Sequence, residues 1–147
     1  MAELLANRPL WVALAATLAA QLIKIVLVGA TERRFAPERL LETGGMPSSH
    51  SAAVTAVAAT IGLQYGWSSP LFALAAVFGG IVMYDATGIR RAAGMQAQLI
   101  NDLVDELGHL FDEGFQPEAL KTLLGHTYPQ VLVGAVVGGV TAALLGR

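Results

Sequence analysis

The sequence predicts an all-α fold: an integral membrane bundle of about four transmembrane helices with an interfacial amphipathic helical segment. Three observations point there. Of 147 residues, 54% are hydrophobic and only 14% charged. The mean hydropathy of +0.57 lies far above that of soluble domains. Finally, the apolar residues form four runs, while nearly every polar residue is gathered into two segments between them.

Leu10 to Ala30 is the clearest run, 21 residues long. As a helix it measures roughly 31 Å, matching a hydrocarbon core of about 30 Å. Its first half could pass for a cleavable leader, since Leu10 to Ala20 ends in small residues. Glu3 weakens the basic start such a leader needs, and the run continues through Ile23, Ile25, Val26, Leu27 and Val28, so a span is expected. Ser51 to Leu63 is short by itself, but a helix from Ser48 to Tyr65 is long enough to cross. Pro70 suits a first helical turn, and the run it opens reaches Tyr84 before Asp85 interrupts it. Pro129 to Leu145 is the fourth span. Within it Gly134 and Gly138 form a small-xxx-small pattern that admits a neighbouring helix, in this chain or in a second copy, so an oligomer through the small-residue face of the fourth helix is possible. Arg90 to Leu124 is acidic and amphipathic, with Leu99, Ile100, Leu103, Val104 and Leu107 at helical spacing, as expected of a helix in the interface or capping the bundle. No repeat or linker divides the chain, so residues 1–147 are expected to form one transmembrane domain.

Composition also excludes. A net charge of −2 and nine scattered Lys and Arg residues argue against a nucleic-acid partner. The absence of cysteine removes disulfides, thiolate nucleophiles and cysteine metal sites.

Four spans place both termini and the Gly66–Ser69 turn on one side, and the 31–47 and 87–128 segments on the other. The residues able to do chemistry collect on that second side. Lys24 lies about two-thirds along the first span, where an ammonium needs a partner, a wet cavity or a route to the interface. Arg33 and Arg34 follow, as juxtamembrane anchors or as part of a cationic cluster with Lys24. Gly44-Gly45-Met46-Pro47-Ser48-Ser49-His50-Ser51 reads as a helix N-terminus, whose free N–H groups and dipole would receive a phosphate over Ser48, Ser49 and His50. A serine there could equally cap the helix. His126 precedes the fourth span on the same side as His50, and two histidines can divide phosphoryl transfer between nucleophile and general acid. His109 lies in the acidic connector beside no comparable motif. Asp85 with Arg90 and Arg91 offers either an ion pair at a helix end, or a phosphate clamp with a carboxylate to orient an imidazole.

Together, Lys24, the Gly44–Ser51 motif, Asp85-Ala86-Thr87-Gly88-Ile89-Arg90-Arg91 with Gly94, and Gly125-His126-Thr127-Tyr128-Pro129-Gln130 resemble the divergent branch of the type 2 phosphatidic acid phosphatases, distant relatives of the vanadium haloperoxidases. The resemblance covers nearly the whole chain. It implies a phosphatase acting on a phosphate monoester of an amphiphilic (lipid or isoprenoid) substrate among membrane lipids, without metal or other cofactor. It also implies roles: Lys24 with Arg33 or Arg34 as phosphate ligands, Ser48, Ser49 and His50 as phosphate contacts and acid, and His126 as nucleophile forming a phosphohistidine. The chain departs from the family pattern at three positions. Ser49 stands where glycine is usual, Leu120 where an arginine is expected six residues before the nucleophile, and Gln130 where an acidic residue is expected four after it. Arg90, Arg91 or Lys121 could supply the arginine. Asp85 is the favoured orienting group, because Thr127 and Gln130 also read as a capping box.

Two other functions fit parts of the sequence. Asp85, Gly88 and Arg90 with Asp102 and Asp105 resemble the CDP-alcohol phosphotransferases, implying metal-dependent headgroup transfer; this leaves both histidines unexplained. A non-enzymatic lipid-phosphate-binding or transport subunit would keep the anion site without turnover. For location, a multi-pass protein of the cell membrane is expected, with the active face cytoplasmic. That face carries six basic residues, Arg33, Arg34, Arg39, Arg90, Arg91 and Lys121, against Arg8 and Arg147 on the other.

Overall fold

The computed structural model describes residues 2–32, 45–108, 117–122 and 124–147. Arg33, Arg34, Arg39 and His109 lie outside the described residues.

A short α1 (Ala2–Leu5) precedes α2 (Arg8–Glu32), α3 (Ser49–Tyr65), α4 (Pro70–Thr87), α5 (Ile89–Glu106) and α6 (Tyr128–Leu145). Among the described residues, three stretches are long and apolar enough to cross a membrane: Arg8–Ala30, Pro70–Glu106 and Tyr128–Leu145. At 17 residues α3 falls just short, about 26 Å at about 1.5 Å per residue. It is nevertheless the centre of the bundle, packing on α2, α4 and α6.

Small residues four apart explain that packing. Ala52, Ala56 and Thr60 of α3 are buried, as are Val12, Ala16, Ala20 and Lys24 of α2 and Gly134, Gly138 and Ala142 of α6. Each set forms one narrow stripe, and small side chains let backbones approach where lipid supplies no hydrophobic drive between helices. A Cβ on Gly134 would overlap the Ser48 carbonyl, and one on Gly138 the Ala52 carbonyl. The α6 face left open to a second copy by the sequence pattern is therefore filled by α3 of the same chain. Large side chains turn outward: Leu18, Leu22 and Val26 of α2, Leu74, Phe78 and Ile81 of α4, and Leu132, Val136 and Leu144 of α6 are each more than half exposed. A buried core of alanine inside a shell of exposed leucine and valine is the arrangement of a protein solvated by lipid.

Two element ends differ from expectation. Asp85 does not stop α4, which continues to Thr87, where the Thr87 Oγ1 donates to the Met83 and Tyr84 carbonyls. The amphipathic helix starts at Ile89 but ends at Glu106, and residues 117–122 are not helical. The Asn101 amide accounts for the latter: it donates to the Leu120 carbonyl and accepts from the Leu120 N–H, both at 2.9 Å, holding that stretch beside α5. At the end of the bundle bearing the termini, Arg8 Nε donates to the Leu145 carbonyl at 2.9 Å.

Candidate functional site

The opposite end of the bundle gathers the start of α3, the end of α4, the start of α5 and the residues entering α6. Main-chain bonds tie them. The Ser48 N–H donates to the Gln130 carbonyl (3.0 Å), and the His126 N–H donates to the Ala86 carbonyl (2.8 Å). Gly125 makes the second contact possible. It adopts a φ of +77°, and a Cβ there would meet the Arg91 backbone at 2.5 Å and the Ala86 carbonyl at 2.9 Å. Gly94 likewise admits the Thr122 carbonyl.

His50 and His126 come together here, their ring centroids 6.3 Å apart and their planes tilted by 55°. Both front a cleft of about 210 Å³ lined also by Ile81, Val82, Asp85, Ala86, Arg90 and Gly125. At about 30 Å³ per liquid water, that volume suffices for a phosphate. The two histidines differ in setting. His50 is exposed, whereas His126 is 4% exposed, and neither of its ring nitrogens has a hydrogen-bond partner among the described residues. Burial lowers the His126 pKa below its ordinary 6.5, and the charges of His50 and Lys24 push the same way. The Gln130 side chain and Gly45 backbone lie near enough to oppose this, without reaching hydrogen-bond geometry.

Lys24 is buried, 3% exposed, with its methylenes 3.6–3.9 Å from where a Cβ of Gly45 would stand. Its charge acts on both histidines, although Lys24 itself does not line the cleft. Gly45, with a φ of +89°, turns the chain over it.

Other expected residues are placed differently. Ser48 is fully buried and is the N-cap of α3: its Oγ accepts from the Ser51 N–H (3.3 Å) and the Ser51 hydroxyl (3.0 Å). It builds the helix end and does not face the cleft. Ser49, half-buried, and His50 are the first two residues of α3, where N–H groups lack intrahelical acceptors. Gln130 Oε1 accepts from the Thr127 N–H at 2.9 Å, the capping-box bond. Asp85 lines the cleft, but its carboxylate accepts from Arg90 Nε at 2.6 Å, and no hydrogen bond to His126 is found among the described residues. Arg91 is exposed and, like Lys121, is not part of the cleft lining. Asp102 and Asp105 lie farther along α5, Asp102 about 18 Å beyond Arg90 at about 1.5 Å per residue. Among the described residues no three His, Cys, Asp or Glu side chains gather to hold a metal ion. Gly125 and Ala86 stand within the sequence motifs with no role predicted for either, although a glycine directly before a candidate nucleophile is a usable sign of close backbone approach.

Comparison with known proteins finds a family model and a relative that each span most of the chain. A family model described as the Divergent PAP2 family matches residues 5–141. The "Uncharacterized membrane protein YuiD" of Bacillus subtilis (strain 168) is 44% identical over 145 residues, covering 92% of each chain. No solved structure matches.

Proposed function

The chain belongs to the Divergent PAP2 family, and from that premise we propose that it is a membrane phosphatase, hydrolysing a phosphate monoester of a lipid or isoprenoid substrate through a phosphohistidine on His126. One observation carries the reading: the two motif histidines, 76 residues apart in the chain, front a single cleft with 6.3 Å between ring centroids.

Their different exposure suits the two histidines to different steps. Buried and with its pKa lowered, His126 stays neutral near pH 7 and keeps a lone pair for phosphorus. In the first step a His126 nitrogen bonds to phosphorus while the ester P–O bond breaks, and His50, as imidazolium, gives its proton to the departing alkoxide. In the second step neutral His50 takes a proton from water. The resulting hydroxide attacks phosphorus, the P–N bond breaks, and inorganic phosphate leaves. Exposure suits His50 to this role, since its proton must exchange with solvent. Lys24 and the first-turn N–H groups of α3 offset the charge on the equatorial oxygens, the electrostatic contribution that usually dominates such transfers. No step uses a metal. The active face is taken as cytoplasmic in a cell-membrane protein, on the six-to-two excess of basic residues.

The test is phosphate release from a panel of lipid and isoprenoid monophosphates by purified protein with EDTA present. Release by the wild type and its loss in His126→Ala support the reading. Release that EDTA abolishes favours metal-dependent chemistry, and binding without release favours a non-enzymatic carrier.

A further inference from the structure

We propose that Arg90 is the guanidinium that clamps phosphate in this cleft, and that Asp85 is the residue that positions it. The proposal rests on the phosphatase reading above and fills a gap in it. The resemblance to the wider phosphatase superfamily implies an arginine six residues before the nucleophile, and Leu120 occupies that place. Leu120 is exposed, is absent from the cleft lining, and has both backbone groups held by Asn101. Of the basic residues that follow α4, Arg90 is in the cleft lining, together with His50, His126 and Asp85, whereas Arg91 and Lys121 are not.

The break between α4 and α5 explains how it gets there. On an unbroken helix residues five apart point about 140° away from each other, at about 3.6 residues per turn. Asp85 and Arg90 are five apart and still meet at 2.6 Å, because Gly88 (φ −101°, ψ −92°) ends α4 and lets α5 start in a new direction. The bond is made by Nε. A planar guanidinium held through Nε presents its Nη donors elsewhere, in the paired geometry that two phosphate oxygens accept. Asp85 thus fixes the fork while offsetting part of its charge, a role different from orienting His126. A lysine at position 90 would carry the charge without the fork.

Orthovanadate binding to the detergent-purified full chain tests the assignment without relying on turnover. Arg90→Gln and Arg90→Lys are both expected to weaken binding at least tenfold, as loss of a charged hydrogen-bonding group does by roughly one to two orders of magnitude. Lys121→Gln should bind as the wild type does. Asp85→Asn is the discriminating variant. Were Asp85 only a negative charge near an anion, removing it would tighten binding; as a positioning residue it should weaken binding, and should add nothing in an Arg90→Gln background. Unchanged binding in Arg90→Gln, or tighter or unchanged binding in Asp85→Asn, overturns the assignment alone. Failure of the wild type to bind vanadate removes the phosphate reading as well. If the variants do not fold, protection of wild-type Arg90 by vanadate against phenylglyoxal, mapped by peptide mass, decides it: protection supports the clamp and equal modification overturns it.

Discussion

Gly134→Ala is the substitution whose effect the packing fixes most closely. The added Cβ would overlap the Ser48 carbonyl, a backbone atom that no rotamer change can move, so α6 must withdraw from α3. Overpacking of this kind costs about 1–3 kcal/mol. Replacing glycine by alanine inside a helix returns about 0.5–1 kcal/mol. A net loss of up to about 2.5 kcal/mol is expected, read as a lower unfolding midpoint in detergent. Gly139→Ala is the internal control, since nothing lies within 4 Å of its Cβ position, and it should leave the midpoint unchanged or raise it. Position 134 also lies about one turn beyond Gln130, whose carbonyl receives the Ser48 N–H at the mouth of the site. Withdrawal there separates the elements bearing His50 and His126, and a misplacement near 1 Å can lower kcat/KM by about 100-fold. Equal midpoints for Gly134→Ala and Gly139→Ala would refute the close approach of α3 and α6 from which the site geometry is built.

Four other outcomes are expected. Because folding lowers the His126 pKa, the unfolded chain binds this proton more readily, so stability should fall as pH drops below about 6.5 toward the lowered folded value; melting curves of His126→Gln should show a smaller fall over that window. The acid limb of kcat/KM due to this histidine should likewise lie below 6.5. Lys24→Ala should lower kcat/KM by roughly 100-fold while the protein stays folded, and wild-type kinetics would reduce Lys24 to a snorkelling residue. A cytoplasmic active face requires the C-terminus on the other side, so alkaline phosphatase fused there should be active, and fluorescence from green fluorescent protein fused there would reverse the orientation.

The helices were legible in the sequence because lipid-facing length is fixed by bilayer thickness, so the runs opening near Leu10, Pro70 and Pro129 could be read directly. Their ends were less so. Asp85 looked like a terminator because a carboxylate does not suit lipid, yet it faces the cleft and pairs with Arg90, and α4 passes it unbroken. The amphipathic pattern suggested helix as far as Leu124 because periodicity is local, whereas the Asn101–Leu120 pairing spans 19 residues. In the site, the meeting of His50 and His126 followed from counting spans. The division of labour among Ser48, Ser49 and Ser51 did not, since which serine caps a helix depends on a one-residue choice of where the helix begins. An Asp85–arginine ion pair was one of the two readings of that segment; its geometry was not legible, since spacing of five on a helix predicts separation and only the change of direction at Gly88 reverses it.

Trapping the phosphoryl group tests the central claim most directly. Wild-type protein is mixed with a lipid phosphate monoester labelled at phosphorus, quenched in base within the first turnover, and its peptides mapped. The account predicts a base-stable, acid-labile label on His126 that is absent from His126→Ala, together with loss of phosphate release in that variant. Undiminished turnover by His126→Ala, or turnover by the wild type with no label on His126, would contradict it.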